Sequence, residues 1–515
     1  MLPVLFFPLG VDQIFFLQGG QVIAQGGNIY ADYVDTKSPL IYYLFAGVYS
    51  IVGESEIGVR GFELLWQFIT IVFLHVFIRR YTQNDILAFT IVISYCLLYF
   101  ITGYTQSLEG ETIAAPFILV VLFQHLKQKK TSYEYFLRGI LIAVIFGCKY
   151  TLGVQILALI VFDIFSNRLP LKLLLRSYLI SIIGFIFGVL LLCIPFLQSE
   201  IFEGYKEVWK FTMAYANIPQ FGMGLIQYIL KLTATFIADR VSFSILIFSF
   251  IGVWIIFNTS GQIDENETKV KRLIELCCIV LMFLLLSVFL ERKCIYYHYS
   301  RLFIPLSILS GVGLTVSIQW IKKNWCILTL KGKSLCVSML FILLLFSPIL
   351  RWAKIAPLPY YYFINNDKYF DYVEVISVQG HSLLQSQNIK NYIQRTELKL
   401  NNGKNDFNFY NRIFVMGIHG NRMSKILNQT PIPKVNSSAC YFGVGSPIAW
   451  KEAMWDEVKK AGWLVIENND NGYIINGHNL TTWESVKNDT LLYTYLQSHF
   501  DSTTCIGEFN LYRRK

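Results

Sequence analysis

VDQIFFLQGGQVIAQGGNIYADYVDTKSPL, residues Val11–Leu40, is the first extended polar stretch of the chain, and a largely apolar region running to Leu350 follows it. It gathers Asp12, Asp32, Asp35 and Lys37 among glycines, tyrosines and a proline, residue types that interrupt regular structure. Ionisable groups set beside a membrane are costly to keep there, which makes them functional candidates by default. A solvated acidic loop would account for the charge equally well. The pattern of residue types, taken with the rest of the chain, separates the two readings.

The 515 residues are 54% hydrophobic and only 15% charged, whereas a soluble domain is about a quarter charged. This is the composition of an integral membrane protein. A net charge of +10 does not point to nucleic acid, because the basic residues gather in short loops between apolar runs, as the positive-inside rule requires. Most of the ten cysteines lie in or beside apolar segments, where a thiol behaves as a small hydrophobe. Cys440 and Cys505 fall in the polar tail, where a disulfide can form. The opening MLPVLFFPLG is too short to cross about 30 Å of hydrocarbon, which takes roughly 20 residues, and it lacks the basic region and cleavage site of a signal peptide. It reads as the end of a truncated first transmembrane helix or as a short interfacial helix.

Pro39–Val52 is apolar but short, and is expected to be a re-entrant or juxtamembrane helix. Full or partial spans are expected at Ile57–Ile78, Asp85–Tyr104, Glu111–Leu126, Leu137–Cys148, Thr151–Phe165, Tyr178–Leu197, Val241–Asn258, Leu273–Leu290, Arg301–Ile321 and Leu335–Leu350. Alternating them places Arg79/Arg80, Lys127/Lys129/Lys130/Arg138, Arg168/Lys172/Arg176, Lys269/Lys271/Arg272 and Lys322/Lys323/Lys331/Lys333 on one side, the cytoplasmic one. Asp12–Lys37, Glu109/Glu111, Lys149, Gln198–Arg240, Glu291–Tyr299 and the tail then face the exterior.

The tail beyond Arg351 is the size of one domain. Strand-like runs occur at Arg412–Ile418, Gly462–Asn468 and Glu508–Arg514, and Ala449–Lys460 is an amphipathic helix with Trp450, Ala453, Met454 and Val458 at helical spacing. The expected architecture is an α-helical polytopic membrane protein of about ten or eleven spans, with a small C-terminal exterior α/β domain. The expected domains are 1–56 (opening helix and first exterior loop), 57–350 (membrane helices) and 351–515. Neither GxGxxG nor GxxxxGK[ST] occurs in a strand-to-helix context, and CxxC and HExxH are absent. A nucleotide-binding or zinc-hydrolase activity has no support.

Three exterior features carry the candidate chemistry: Asp12 with the loop to Lys37, Glu109 and Glu111 in YTQSLEGET, and ERKCIYYHYSR at Glu291–Arg301. In order, Asp12-Gln13, Gly26-Gly27, Tyr30 and Asp32, Lys37-Ser38-Pro39-Leu40 and Val59-Arg60 resemble the first exterior loop of the type C glycosyltransferases of family 39. That group includes protein O-mannosyltransferases and the bacterial lipid A aminoarabinose transferase. RKCIYYHYSRLFIPLSILSGVGL is similar to the family's late His-Tyr-to-Pro segment. Gln13 stands where the family has a second acid, and Ser38 where it has a first proline, which leaves Asp12 as the sole carboxylate at its position.

The resemblance implies transfer of a sugar from a polyprenyl phosphate to an acceptor hydroxyl at the outer face; the size of the loops and the lack of an organelle retention signal in the sequence make a bacterial plasma (inner) membrane the expected location. The acceptor class, whether lipid, polysaccharide or protein, stays open. By resemblance Asp12 is the general base; its other reading is a helix N-cap. Lys149, in the break GCKYT, matches the family's Thr-Lys between two short helices and is a ligand for the donor phosphate, as an interrupted helix suits an anion in a bilayer. Its other reading is a lysine snorkelling to the interface. Lys37, Arg292, Lys293, His298 and Arg60 are further phosphate candidates, with Tyr299, Tyr30, Asp32 and Asp35 as substrate-contacting residues. Glu111, followed by TIAAPF, is the family's second acid, with Glu109 beside it. That acid orients the acceptor or holds a divalent cation, unless the pair merely closes a helix N-terminus. A transporter or flippase of a lipid-linked glycan is the competing class, but such proteins usually show paired inverted repeats, and no halves match here.

Overall fold

The computed structural model describes residues 2–101, 107–127, 130–166, 170–216, 240–258, 265–291, 296–334, 353–365, 368–376, 383–400, 413–417, 432–435, 441–443, 445–470 and 480–515, with a few single residues between 224 and 234. The expected span Leu335–Leu350, the candidates Arg292 and Lys293, and Cys440 lie outside the described residues. The chain divides into two compact units: residues 1–5, 60–194 and 225–356 form the first, and 6–59, 195–224 and 357–515 the second.

The helices are α1 (Val11–Ala24), α2 (Pro39–Val52), α3 (Glu56–Thr82), α4 (Asp85–Ile101), α5 (Gly110–Leu126), α6 (Ser132–Cys148), α7 (Gln155–Ser166), α8 (Leu171–Leu192), α9 (Ser199–Ala216), α10 (Arg240–Asn258), α11 (Glu265–Glu291) and α12 (Phe303–Asn324). Among the described residues, Glu56–Thr82, Leu171–Leu192, Glu265–Glu291 and Tyr297–Asn324 are long and apolar enough to cross a membrane, and shorter apolar helices accompany them. Hydrophobic side chains of α8 such as Ile182, Ile183, Ile186 and Leu190 are at least half exposed. A water-facing surface rarely tolerates so large an apolar face; hydrocarbon does. This is a multi-pass membrane protein.

Two expectations need correction. Val11–Ala24 is a helix rather than part of a loop. The span expected at Tyr178–Leu197 starts at Leu171 and ends at Leu192, with a separate 3₁₀ turn at Ile194–Leu197. The polar stretch after Gln198 contains the amphipathic helix α9. The opening residues Leu2–Phe6 form a 3₁₀ turn.

Without a hydrophobic force between helices in lipid, association rests on close backbone packing through small residues. α6 and α8 show it. A Cβ on Gly139 would lie 2.0 Å from the Ser181 carbonyl oxygen, and one on Gly184 2.1 Å from that of Phe136. In the same unit, a Cβ on Gly252 of α10 would lie 2.5 Å from the Leu309 carbonyl of α12. Gly139→Ala is therefore expected to lower the melting temperature, at a cost of about 1–3 kcal/mol for overpacking. Gly47→Ala, where nothing lies within 4 Å of the added Cβ, should be neutral or stabilising, since alanine is the better helix former. Equal melting temperatures for Gly139→Ala and wild type would show that the α6–α8 contact is not tight.

The second unit contains α13 (Leu358–Phe363), α14 (Tyr369–Ile376), α15 (Leu383–Leu400), β1 (Ile413–Met416), α16 (Ile448–Lys460), β2 (Trp463–Glu467), α17 (Thr482–Asn488), α18 (Thr490–His499), β3 (Phe500–Ile506) and β4 (Phe509–Arg514). The strands run in the order β1-β2-β4-β3, with β1 parallel to β2 and the other pairs antiparallel. Alternate residues on one face (Ile413, Val415, Trp463, Val465, Phe509, Leu511) bury against Ile389 and Ile393 of α15. The opposite-parity residues Phe414, Met416, Leu464 and Ile466 are buried too, so both faces are covered and a small α/β domain results. Trp450, Met454 and Val458 of α16 are buried at the expected helical spacing.

Candidate functional site

In the second unit, Gly10 precedes α1 with extended backbone, and the Gly10 N–H donates to the side-chain oxygen of Gln13 at 2.7 Å. Gln13 is fully buried. A glutamine at the third helical position reaching back to the cap is a standard way to satisfy an orphan donor, so the residue standing in for the family's second acid has a local structural role. Asp12 sits in the first turn, where the helix dipole favours a carboxylate. Its Oδ2 lies 3.0 Å from the Lys37 Nζ, with both side chains about a quarter exposed (25% and 27%). Lys37 also lies 5.8 Å from the Phe16 ring centroid.

The loop between α1 and α2 holds Lys37 in place. The Tyr30 hydroxyl donates to the Lys37 carbonyl at 2.7 Å. Tyr30 is buried, with a left-handed φ of 69°, a conformation rare for non-glycine residues and one that surrounding structure must impose. Part of that surrounding is α9, where a Cβ on Gly204 would come within 2.6 Å of the Tyr30 carbonyl oxygen and Tyr205 packs its ring 5.2 Å from that of Tyr30. Asp32 accepts from the Asn28 N–H at 2.7 Å and so closes its own turn. Asp35 accepts from the Thr36 N–H at 2.6 Å and from the Tyr42 hydroxyl. Burial raises the Asp35 pKa above the usual carboxylate value, with Lys37 and the Tyr42 hydrogen bond opposing it and Asp12 adding to it.

A raised folded-state pKa favours the folded state below the unfolded pKa, and that contribution is lost as pH rises through the folded one. Asp35→Asn is therefore expected to gain in melting temperature relative to wild type at pH 7 and to lose that advantage near pH 3.5. An advantage as large at the low pH would exclude this origin.

In the first unit, a Cβ on Gly110 would lie 2.7 Å from the Cys148 carbonyl oxygen. That close approach sets the first turn of α5 against the end of α6, and hence Glu111 beside Lys149. Glu111 is buried and pairs with Lys149 and with Arg301 Nη2 at 2.9 Å. The same Arg301 nitrogen is 2.7 Å from Glu291 Oε1, and Lys149 is 3.5 Å from Glu291 Oε2. The His298 Nδ1 stands 2.8 Å from Glu291. Arg301 Nη1 donates to Ser287 at 2.7 Å and Thr151 at 3.2 Å. Lys149 lies 5.1 Å from the Tyr297 ring centroid. Two acids and two permanent cations balance, as burial demands.

Glu109 is the buried N-cap residue of α5, its carbonyl accepting from the Thr112 and Ile113 N–H groups at 2.9 Å. Leu108 before it has φ 56°. Arg60 is fully buried, with Glu63 at 2.5 Å and Ser107 at 3.0 Å, and Tyr99 donates to the same Glu63 at 2.5 Å. Tyr299 is buried as well.

The structure thus brings Asp12 together with Lys37, and Glu111 together with Lys149 and His298. Arg60, Asp32 and Glu109 are instead engaged with their own surroundings. Sequence reasoning quoted the segment from Glu291 to Arg301 but missed both end residues. The signal was there: an acid closing one apolar run and an arginine opening the next. Among the described residues no group of three or more His, Cys, Asp or Glu is placed to hold a metal ion. A divalent cation at Glu111 would face Lys149 and Arg301, and these residues do not fit one.

Residues 36–198 match the family model described as dolichyl-phosphate-mannose-protein mannosyltransferase. The fold is similar to the crystal structure of ArnT from Cupriavidus metallidurans bound to undecaprenyl phosphate, with a TM-score of 0.52 at 12% identity, over 97% of this chain and 92% of that one. No curated protein sequence matches. Residues 36–198 are thus similar to that mannosyltransferase family, and almost the whole length of the chain has a fold similar to that of ArnT.

Proposed function

We propose that the protein transfers a sugar from a polyprenyl-phosphate donor to an acceptor hydroxyl at the outer face of a bacterial inner membrane, with Asp12 as general base. The acceptor oxygen bonds to the anomeric carbon, the bond from that carbon to the phosphate oxygen breaks, and the polyprenyl phosphate leaves with the electron pair. The hydroxyl proton passes to the Asp12 carboxylate.

The carrying observation is the Asp12–Lys37 pair, 3.0 Å apart and partly exposed. A lysine has three donors, so Lys37 can hold Asp12 and a phosphate oxygen together, setting the base beside the leaving group. Glu111 is a poor base by comparison: it is 1% exposed and held by two cations. The basic loops alternating onto one side support the outer-face orientation, and the neighbour's bound undecaprenyl phosphate supports the donor class. The test is transfer by the purified protein from a panel of undecaprenyl-phosphate sugars. Transfer from at least one is expected; none from any would overturn the reading.

A further inference from the structure

On the small domain, α16 and α18 border an open groove of about 750 Å³, lined by Glu452, Trp455 and Asp456 from the first helix and Thr494, Tyr495 and Ser498 from the second. Small-molecule sites span roughly 300–1,000 Å³, so the volume suits one. The Trp455 indole is pinned from behind: its N–H donates to the Tyr441 hydroxyl at 3.0 Å, which donates to Asp489 at 2.7 Å. Tyr495 meets it edge-on, ring centroids 5.5 Å apart at 77°, and is itself stacked on His499 at 4.0 Å. Both aromatic side chains are only partly buried, yet their planes are held by neighbours.

Polar groups stand beside the rings. Glu452 is exposed and makes no hydrogen bond or ion pair among the described residues. Asp456 pairs with Lys459, another lining residue, at 3.2 Å. Two carboxylates against one lysine disfavour a phosphate, a sulfate or any other anion. A wholly apolar occupant would cover Glu452 without a partner, at a cost in desolvation.

The ligand chemistry that meets all these conditions is a sugar ring. A pyranose has a face of C–H groups that packs on an aromatic ring, whose negative face favours them. Its rim carries hydroxyls that donate to carboxylates in charge-assisted hydrogen bonds, roughly twice as strong as neutral ones, and that accept from Thr494 and Lys459. We propose that this groove is a binding site for a neutral saccharide. It uses no residue of the Asp12–Lys37 site and goes beyond the transfer reading without depending on it.

The test is saturation-transfer NMR and calorimetry on the full-length protein in detergent. The probes are neutral mono- to tetrasaccharides of glucose, galactose, mannose and N-acetylglucosamine. At least one is expected to bind, with Trp455→Ala and Glu452→Gln each weakening it about tenfold or more, equivalent to about 1.4 kcal/mol. Trp455→Phe, which keeps a ring, should retain most of the binding. Among the described residues Glu452 makes no hydrogen bond or ion pair, so Glu452→Gln keeps the test valid if Trp455→Ala fails to fold. Binding is read without turnover, so an enzyme inactive in the transfer assay leaves this test intact. No saccharide binding by wild type, equal binding by Glu452→Gln, or a preference for sugar phosphates over neutral sugars would overturn the proposal.

Discussion

Asp12→Asn is expected to lower the transfer rate by about 10²–10⁴-fold, the usual contribution of a positioned general base, while donor affinity changes little. Asparagine keeps the size of the side chain and an oxygen for Lys37, but it cannot take a proton at neutral pH. The lost ion pair costs little stability: the two side chains are about a quarter exposed, and such pairs contribute roughly 0–1 kcal/mol. Loss of fold is therefore not the expected cause of lost activity, and a thermal melt checks that. Single-turnover rates together with a donor-binding isotherm separate the possibilities. Rate loss with donor binding intact identifies the base. Weakened donor binding with an unchanged chemical step would make Asp12 a partner of Lys37 and no more. Unchanged transfer would remove Asp12 from the mechanism.

The largest expected effect on stability comes from Arg301→Leu. Arg301 is 1% exposed and is shared by Glu111, Glu291, Thr151 and Ser287. Removing one partner of a buried ion pair leaves uncompensated charge and costs about 3–5 kcal/mol. Lys149, with the His298 ring beside it, then faces two carboxylates. The melting temperature should fall sharply, or folded protein should not be recovered. Arg301→Lys keeps the charge but not the planar fork that spans several acceptors, so it should restore stability only in part. Combining Arg301→Leu with Glu111→Gln removes one charge of each sign and should recover part of the loss, the non-additivity expected of residues in contact. Additive losses in the double variant would show that the two side chains are not coupled.

Much of the membrane architecture can be read from hydropathy, because a helix in lipid must be long, apolar and internally hydrogen-bonded. Helix α1 could not. Gly19-Gly20 in its middle reads as a breaker, yet a Cβ on Gly19 would lie 2.4 Å from the Tyr42 ring and one on Gly20 2.5 Å from the Phe45 carbonyl carbon. The glycines are there for close packing on α2, a long-range fact that local propensity does not carry. Strand β3 was missed for a related reason: FDSTTCI is mostly half-buried or exposed at the sheet edge and lacks an apolar alternation. Asp12 and Lys37 were legible as types in a pattern, and Glu111 with Lys149 by resemblance. Glu291 and Arg301 were visible as an acid and an arginine but not as a site, since charges flanking apolar runs look like ordinary span ends until the fold sets Arg301 between Glu291 and Glu111.

The strand order also sets a timetable for synthesis. β2 is paired on one edge by β1 and on the other by β4, and all of its residues are buried in the finished sheet. β1 precedes β2 in the chain, but β4 follows it by about forty residues, a few seconds of ribosome travel at roughly 5–20 residues per second. During that interval WLVIE has one bare, sticky edge, the kind that recruits foreign strands. The nascent domain thus passes through an aggregation-exposed window at a time when the membrane helices up to α12 have already left the ribosome.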